Sequence, residues 1–435
     1  MVPSARMIWL VAAVGFPAAV VAALWPAARP VAFAAIVVLA IAIIADAALR
    51  KRALSGIRVE LPGLVRFFKD RDAEIRIRIV NESGQSRHLR FGIIAPEGIE
   101  TASEDQFVQM PEGAPAAEFS WGCVPRQRGR YQIAECYLQS ASPLGMWDVR
   151  RCDPVNLELR VYPSLRSDDN FKALRRGVEG MHQLRQLGRG REFEKLREYV
   201  PGDGLDELHW KATARRGRPI TKVFQVERTQ EVYVVIDASR LSACPVGGDT
   251  ALERAISAAL ILGTSAERRG DLFGLAAFAD QVEAFARARN GKAHYGTCRD
   301  AIYQLQPRPE SPDFDEIVTF LRLRLHRRSL ILFLTPLDDP VLGENFVRAI
   351  RLISHRHLVM VAMPRPKEMH PLFSGPVETT DAIYAELAGH LAWKHLRELE
   401  ATLARQGVRL ALLDPEKITS GLIGLYDEVK QRQLL

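Results

Sequence analysis

Cysteine is sparse in this chain and carries no pattern. Five residues (Cys123, Cys136, Cys152, Cys244 and Cys298) are scattered over 435 positions, odd in number and without a CxxC pair. That spacing excludes a disulfide framework and a zinc-ligand set, and free thiols in a reducing compartment are the expectation. The common nucleotide fingerprints are missing as well: there is no GxGxxG, and no GxxxxGK followed by Ser or Thr. A GxSxG nucleophile motif is also absent. No long basic tract or stacking aromatic motif occurs, and acids and bases are interspersed. The net charge of +7 therefore does not read as nucleic-acid binding; it suits an anionic membrane surface or acidic partners.

Charge itself is nearly missing from the first fifty residues. Met7 to Trp25 carries none, and at 1.5 Å per residue it spans about 28 Å, close to the hydrocarbon core of a bilayer. Arg29 and Pro30 interrupt the run, and Val31 to Ala45 is again apolar, with Asp46 near its boundary. The expectation is a transmembrane hairpin with spans at 7–25 and 31–49. Arg6 lies outside one end and Arg50, Lys51 and Arg52 outside the other, which puts both termini in the cytoplasm. Trp9 and Trp25 fall where interfacial aromatics belong. A cleaved signal peptide would have an apolar core of about 7–15 residues, shorter than this run. The chain is thus expected to be a multi-pass protein of the cytoplasmic membrane, touching lipid through residues 7–49, with its body in the cytoplasm.

Three further regions follow the basic flank that ends at 52. From 53 to 165 the apolar period is two: Ile75, Ile77 and Ile79 alternate with Arg76 and Arg78. Short strands at Leu89–Ile94, Glu118–Cys123, Tyr131–Leu138 and Leu157–Tyr162, punctuated by Pro/Gly turns, predict an antiparallel β-sandwich. Residues 166–230 are charged and mostly lack alternation. From 231 to 435 strands and helices alternate, beginning with the buried-type run Val232–Ile236 and ending with a helix over Ile418–Lys430. That pattern predicts a doubly wound α/β domain with a mainly parallel sheet.

In such a sheet the crevice beyond the strand carboxyl ends is where function is expected. The first strand ends Asp237-Ala238-Ser239-Arg240-Leu241, and an Asp followed by a hydroxyl can offer oxygen ligands to magnesium. This resembles the metal-dependent adhesion site of von Willebrand factor A domains, Asp-x-Ser-x-Ser. Asp237 and Ser239 match it, but Leu241 cannot ligate, and Pro336 stands where the family's second acidic loop would place an aspartate. By resemblance the site is degenerate, with Mg²⁺ on Asp237 and Ser239 as the metal alternative.

The most distinctive stretch runs from Gly190 to Asp203 and on from Leu208 to Arg215. Together with Arg128-Gly129-Arg130-Tyr131, Ser142-Pro143-Leu144-Gly145 and Val161-Tyr162-Pro163, it closely resembles the domain of unknown function 58 family. Those bacterial and archaeal proteins are often encoded beside MoxR-type AAA+ ATPases. The resemblance implies a membrane hairpin, a β-rich region and a von Willebrand factor A-like domain. It also implies a non-enzymatic scaffold or adaptor partnered by such an ATPase in assembly or maturation of other proteins. Asp206 and His209 depart from the residues usual at those positions. Read physically, Arg191, Glu192, Arg197, Glu198, Tyr199, Asp203, His209, Trp210, Lys211 and Arg215 are candidate partner-binding residues, since Arg and aromatics anchor interfaces and charged donors pair with carboxylates. They could equally form an ion-paired clamp between domains. A hydrolase using His209 with Asp203 is a further alternative, although nucleophile and oxyanion donors are missing. His182, His355 and His357 are isolated. The expectation is no catalytic residues and no bound cofactor.

Overall fold

The computed structural model describes residues 1–84, 86–164, 187–188, 192–200, 208–225, 230–366, 369, 371 and 379–432. The chain divides into two compact units, Met1–Ser164 and Leu165–Leu435.

In the first unit, Ala5–Leu24 and Pro26–Ala48 are helical, 20 and 23 residues long, with mean hydropathies of 2.3 and 2.7. Both are long and apolar enough to cross a membrane. The first contains a π-helical stretch at Val11–Gly15. Pro17 accounts for it: proline has no N–H and its ring crowds the carbonyl four residues back, at Ala13, so the preceding turn widens. Trp25 leaves helical geometry at φ −123°, and Pro26 and Pro30 pre-set the start of the return segment. Arg29 Nε donates to the Ala22 carbonyl at 3.2 Å, satisfying one of the orphan acceptors at the end of the first helix.

The remainder of this unit is two sheets around one core. One runs Ile57–Glu60, Ala73–Asn81, Ala116–Pro125, Ile99–Thr101, all antiparallel. The other runs Val2–Pro3, Trp147–Tyr162, Gly129–Ala141, Arg87–Ile93, Asp105–Met110, with Leu64–Phe68 added in parallel to Trp147–Tyr162. Ile75, Ile77 and Ile79 point inward against Phe91 and Trp121, and the arginines between them face out. Phe91 and Trp121 meet edge to face, with ring centroids 5.7 Å apart. The strand expected at Leu157–Tyr162 is the end of a 16-residue strand starting at Trp147, with a register shift between Pro154 and Leu157. Pro154 has no N–H for the ladder, so a bulge there is the accommodating geometry.

The hairpin and the sandwich are joined through Asp46. This residue sits in the last turn of the second apolar helix and is fully buried. Its carboxylate accepts from the Ser142 hydroxyl and from the backbone N–H groups of Leu144 and Met146, both at 3.0 Å. Trp147 Nε1 donates to the Ile43 carbonyl at 3.1 Å. Ser4 holds the other helix: its hydroxyl caps Met7 N–H at 3.2 Å and donates to Gly145 O at 2.6 Å.

The second unit is built on a six-stranded sheet. Its elements are β1 (Glu231–Asp237), α1 (Ala251–Arg268), β2 (Leu272–Phe278), β3 (Val282–Arg289), α2 (Lys292–Ile302), α3 (Phe314–Arg324), β4 (Ser329–Leu334), α4 (Pro340–Ser354), β5 (Leu358–Pro364), α5 (Thr380–Arg405), β6 (Arg409–Leu413) and α6 (Ile418–Arg432). The order is β3-β2-β1-β4-β5-β6, with only β3 antiparallel to its neighbour. β1 and β4 are buried along nearly their whole length, as their unbroken apolar runs require. One face packs on α1, α2 and α6, and the other on α3, α4 and α5. Thr250, Asp313 and Asp339 cap α1, α3 and α4 through their side-chain oxygens, which is why those helices start where they do.

Candidate functional site

Strand order reverses between β1 and β4: the chain builds outward to β3 on one side, then returns to add β4, β5 and β6 on the other. A cleft of about 690 Å³ opens at this switch point, beyond the carboxyl ends of β1, β4, β5 and β6. Asp237, Thr335, Met363 and Leu413 line its floor side, and Pro245, Pro336, Pro364, Pro366 and Pro415 line its walls. Proline has no N–H, so the walls are largely apolar and poor in backbone donors.

Asp237 is 2% exposed. Its Oδ1 accepts from Ser239 N–H at 2.8 Å and its Oδ2 from the Thr335 hydroxyl at 2.6 Å. Burial raises its pKa, opposed by the hydrogen bonds from Ser239 and Thr335. Ser239 is fully buried; its Oγ receives Leu241 N–H at 3.4 Å, and the Ser242 hydroxyl donates to its carbonyl at 2.7 Å. Arg240 Nε reaches across to Ser311 Oγ at 3.1 Å, and its N–H to the Glu310 carbonyl at 3.0 Å. The loop after β1 is therefore tied down from three directions.

Each carboxylate oxygen of Asp237 accepts one internal hydrogen bond, the hydroxyls of Ser239 and Thr335 are the other side-chain oxygens of the site, and Leu241 and Pro336 contribute none. Among the described residues no group of three or more His, Cys, Asp and Glu side chains is arranged to hold a metal. Thr335 is the residue that sequence reasoning passed over. It directly follows β4, beside the proline that drew attention for lacking a carboxylate, and a hydroxyl next to a strand end was the available signal.

The signature segment forms its own small sheet. Glu192–Glu198 pairs antiparallel with Ile220–Gln225, which also pairs with Leu187–Gly188. Between the two longer strands lies a short helix, Trp210–Arg216. His209 is its cap: the ring Nδ1 accepts from Ala212 N–H at 3.0 Å, while the His209 backbone N–H donates to Ile220 O at 2.7 Å. That places the ring in a structural role. Gly217, at φ 64°, closes the helix in the left-handed region that glycine favours. Trp210 is 70% exposed, and Lys211 and Arg215 are exposed beside it. Glu198 pairs with Arg218 at 3.2 Å, Arg197 reaches the Glu198 carbonyl at 3.4 Å, and Tyr199 N–H donates to Pro219 O at 3.0 Å. Glu192 lies in the first long strand; Arg191 and Asp203 lie outside the described residues, as does His182.

Burial pushes the thiols of Cys123 and Cys136 up to about 11 and that of Cys298 to about 12, so none is an activated nucleophile. His357 is buried before β5, with its pKa lowered first by burial and then by Arg356, and His355 ends α4.

The profile of a family described as "Protein of unknown function DUF58" matches residues 195–402, just under half of the chain. An uncharacterized protein of Mycobacterium tuberculosis is 28% identical over 191 residues, covering 42% of this chain and 58% of that protein. The uncharacterized protein YeaD of Bacillus subtilis is 24% identical over 207 residues, covering 46% and 50% respectively. The chain thus spans about half the length of these curated relatives. Among solved structures, the YadV chaperone aligns with a TM-score of 0.18 at 9% identity, over 24% of this chain and 52% of that one. The C. elegans MSP family member WR4 aligns at 0.18 and 15%, over 25% and 98%. Scores at that level bear no argument, and the matched family and relatives carry no assigned activity.

Proposed function

We propose that this chain is a non-enzymatic, membrane-anchored adaptor whose α/β unit takes a protein ligand in the cleft beside Asp237. The single observation behind this reading is that the cleft sits at the switch point while its one buried carboxylate is satisfied by Ser239 and Thr335. Such a floor offers few oxygens for a hard cation and, among the described residues, no nucleophile–base pair, and its proline-rich walls offer apolar surface for recognition. The sheet order, with β3 alone antiparallel, supports a von Willebrand factor A-like domain in which the metal site is degenerate. The two apolar helices would hold the protein in the cytoplasmic membrane, and the basic flanks at Arg6 and Arg50–Arg52 favour a cytoplasmic body. The partner drawn from the family resemblance is a MoxR-type AAA+ ATPase acting in assembly or maturation of other proteins. Trp210, Lys211 and Arg215 would give it an exposed cationic and aromatic face. His209 as a helix cap speaks against a hydrolase centred on that residue.

The test is direct binding between the full chain in lipid nanodiscs and the purified MoxR-type ATPase of the same organism, with and without ATP. Wild type is expected to bind, and either Val246→Glu in the cleft wall or Arg197→Ala/Trp210→Ala in the signature to abolish binding. Absence of binding by wild type in both nucleotide states would overturn the pairing with the ATPase.

A further inference from the structure

The second apolar helix carries its own depth scale. Apart from Asp46, the charges nearest its two ends are Arg29 and Arg50. At 1.5 Å per residue they stand about 31 Å apart, the thickness of a bilayer's hydrocarbon core. In a helix that spans, Asp46 then lies one turn inside the boundary that Arg50 marks, and Ile43 two turns inside it. An acid at that level is tolerated only where protein groups satisfy it. Here those groups come from the sandwich. The loop between Gly129–Ala141 and Trp147–Tyr162 supplies the Ser142 hydroxyl and the Leu144 and Met146 N–H groups to the Asp46 carboxylate. Trp147 reaches lower still, its Nε1 donating to the Ile43 carbonyl at 3.1 Å. The first helix sets the same level independently: the hydroxyl of Ser4, two residues before the boundary charge Arg6, donates to Gly145 O at 2.6 Å.

These bonds draw the 142–146 loop down to the helix ends, and its side chains divide accordingly. Ser142 and Met146 are buried, whereas Pro143 is exposed and Leu144 is 55% exposed. An exposed leucine on a loop tied to that depth meets acyl chains rather than water, and a half-buried tryptophan beside it sits where interfacial aromatics belong. On the reading of the two helices as a membrane anchor, on which the proposal rests, we infer that the 142–146 loop is a foot of the sandwich set into the bilayer surface. Pro143 and Leu144 lie among the upper acyl chains and Trp147 at the headgroup boundary. The ligand of this surface is phospholipid, and the foot fixes the height of the sandwich on the membrane, which a flexible tether would not do.

Nitroxide quenching with the full chain in phosphatidylcholine proteoliposomes tests it, in a background carrying Cys152→Ser and Cys244→Ser to remove the exposed thiols. An environment-sensitive fluorophore is attached at Leu144→Cys, at Ile44→Cys or at Gln127→Cys, and a fraction of the lipid carries a nitroxide high on the acyl chain. Ile44 is 68% exposed on the second apolar helix and reports on the anchor itself. Gln127 is exposed just before the 13-residue strand Gly129–Ala141, which extends roughly 40 Å to the loop. The Leu144→Cys label is expected to emit blue-shifted and to lose emission to the nitroxide, as the Ile44→Cys label does, while the Gln127→Cys label emits as in water and is not quenched. Quenching at Leu144→Cys no greater than at Gln127→Cys, with Ile44→Cys quenched, overturns the foot and leaves the anchor standing. An unquenched Ile44→Cys label overturns the anchor and the foot with it. A blue shift at Leu144→Cys without quenching shows protein rather than lipid over the loop, and overturns the assignment of its ligand.

Discussion

Replacing Asp46 with alanine should uncouple the sandwich from the helical hairpin without unfolding either. Its carboxylate receives three donors from one loop: the Ser142 hydroxyl and the Leu144 and Met146 N–H groups. A hydrogen bond to a charged group contributes about 1.5–3 kcal/mol, and a buried donor left unpaired costs about 1–3 kcal/mol. The three bonds share one acceptor and are not additive, so the local cost is about 3–5 kcal/mol, as for a broken buried charge site. Hydrogen exchange of the full chain in nanodiscs reads this directly. The Leu144 and Met146 amides should exchange about 10²- to 4 × 10³-fold faster in Asp46→Ala, at about 1.4 kcal/mol per decade. Asp46→Asn keeps one acceptor oxygen and should fall between. Amides of the core strand Ala73–Asn81 serve as the control and should not change. If Leu144 and Met146 stay as protected in Asp46→Ala as in wild type, the carboxylate is not what joins the two parts.

Three other outcomes follow from the second unit. Asp237 has its pKa raised on folding, so the folded state binds its proton more tightly and the wild type loses stability as pH rises from the unfolded value toward the folded one. Thermal melts of wild type and Asp237→Asn should therefore diverge in favour of the variant as pH rises through the acid range, then run parallel; a constant difference would contradict the burial argument. Millimolar Mg²⁺ should leave the melting temperature of wild type unchanged, because Leu241 and Pro336 leave few oxygen ligands around Asp237 for an octahedral ion; a rise that Asp237→Ala abolishes would refute this. At the opposite end of the sheet, Asp271 is 1% exposed and is held by Lys430 at 2.7 Å, the Tyr426 hydroxyl at 2.5 Å and Gln230 N–H at 3.0 Å. Urea titration of Asp271→Ala should show a loss of about 3–5 kcal/mol, since Lys430 loses its buried partner, and a loss below about 1 kcal/mol would show that the cluster is dispensable.

Much of this architecture is written in local pattern. The alternation of Ile75, Ile77 and Ile79 with arginines sets one face of a strand, because successive side chains point to opposite sides. The unbroken run Val232–Ile236 marks a strand covered on both faces. The apolar length of the first two helices follows from composition alone. These are properties of neighbours in sequence, so the sequence by itself determined them. What it could not determine were encounters between distant residues. Asp46 read only as a charge near a span boundary, and Ser142-Pro143-Leu144-Gly145 only as a turn, yet 96 residues apart in sequence they form one buried joint. Thr335 became part of the Asp237 site because β1 and β4 lie side by side, 98 positions apart along the chain. His209 read only as an isolated imidazole, and the fold alone shows that its Nδ1 accepts the Ala212 N–H. Side-chain type and period fix what each element can bury; only the tertiary structure decides which of those groups are covered, and by what.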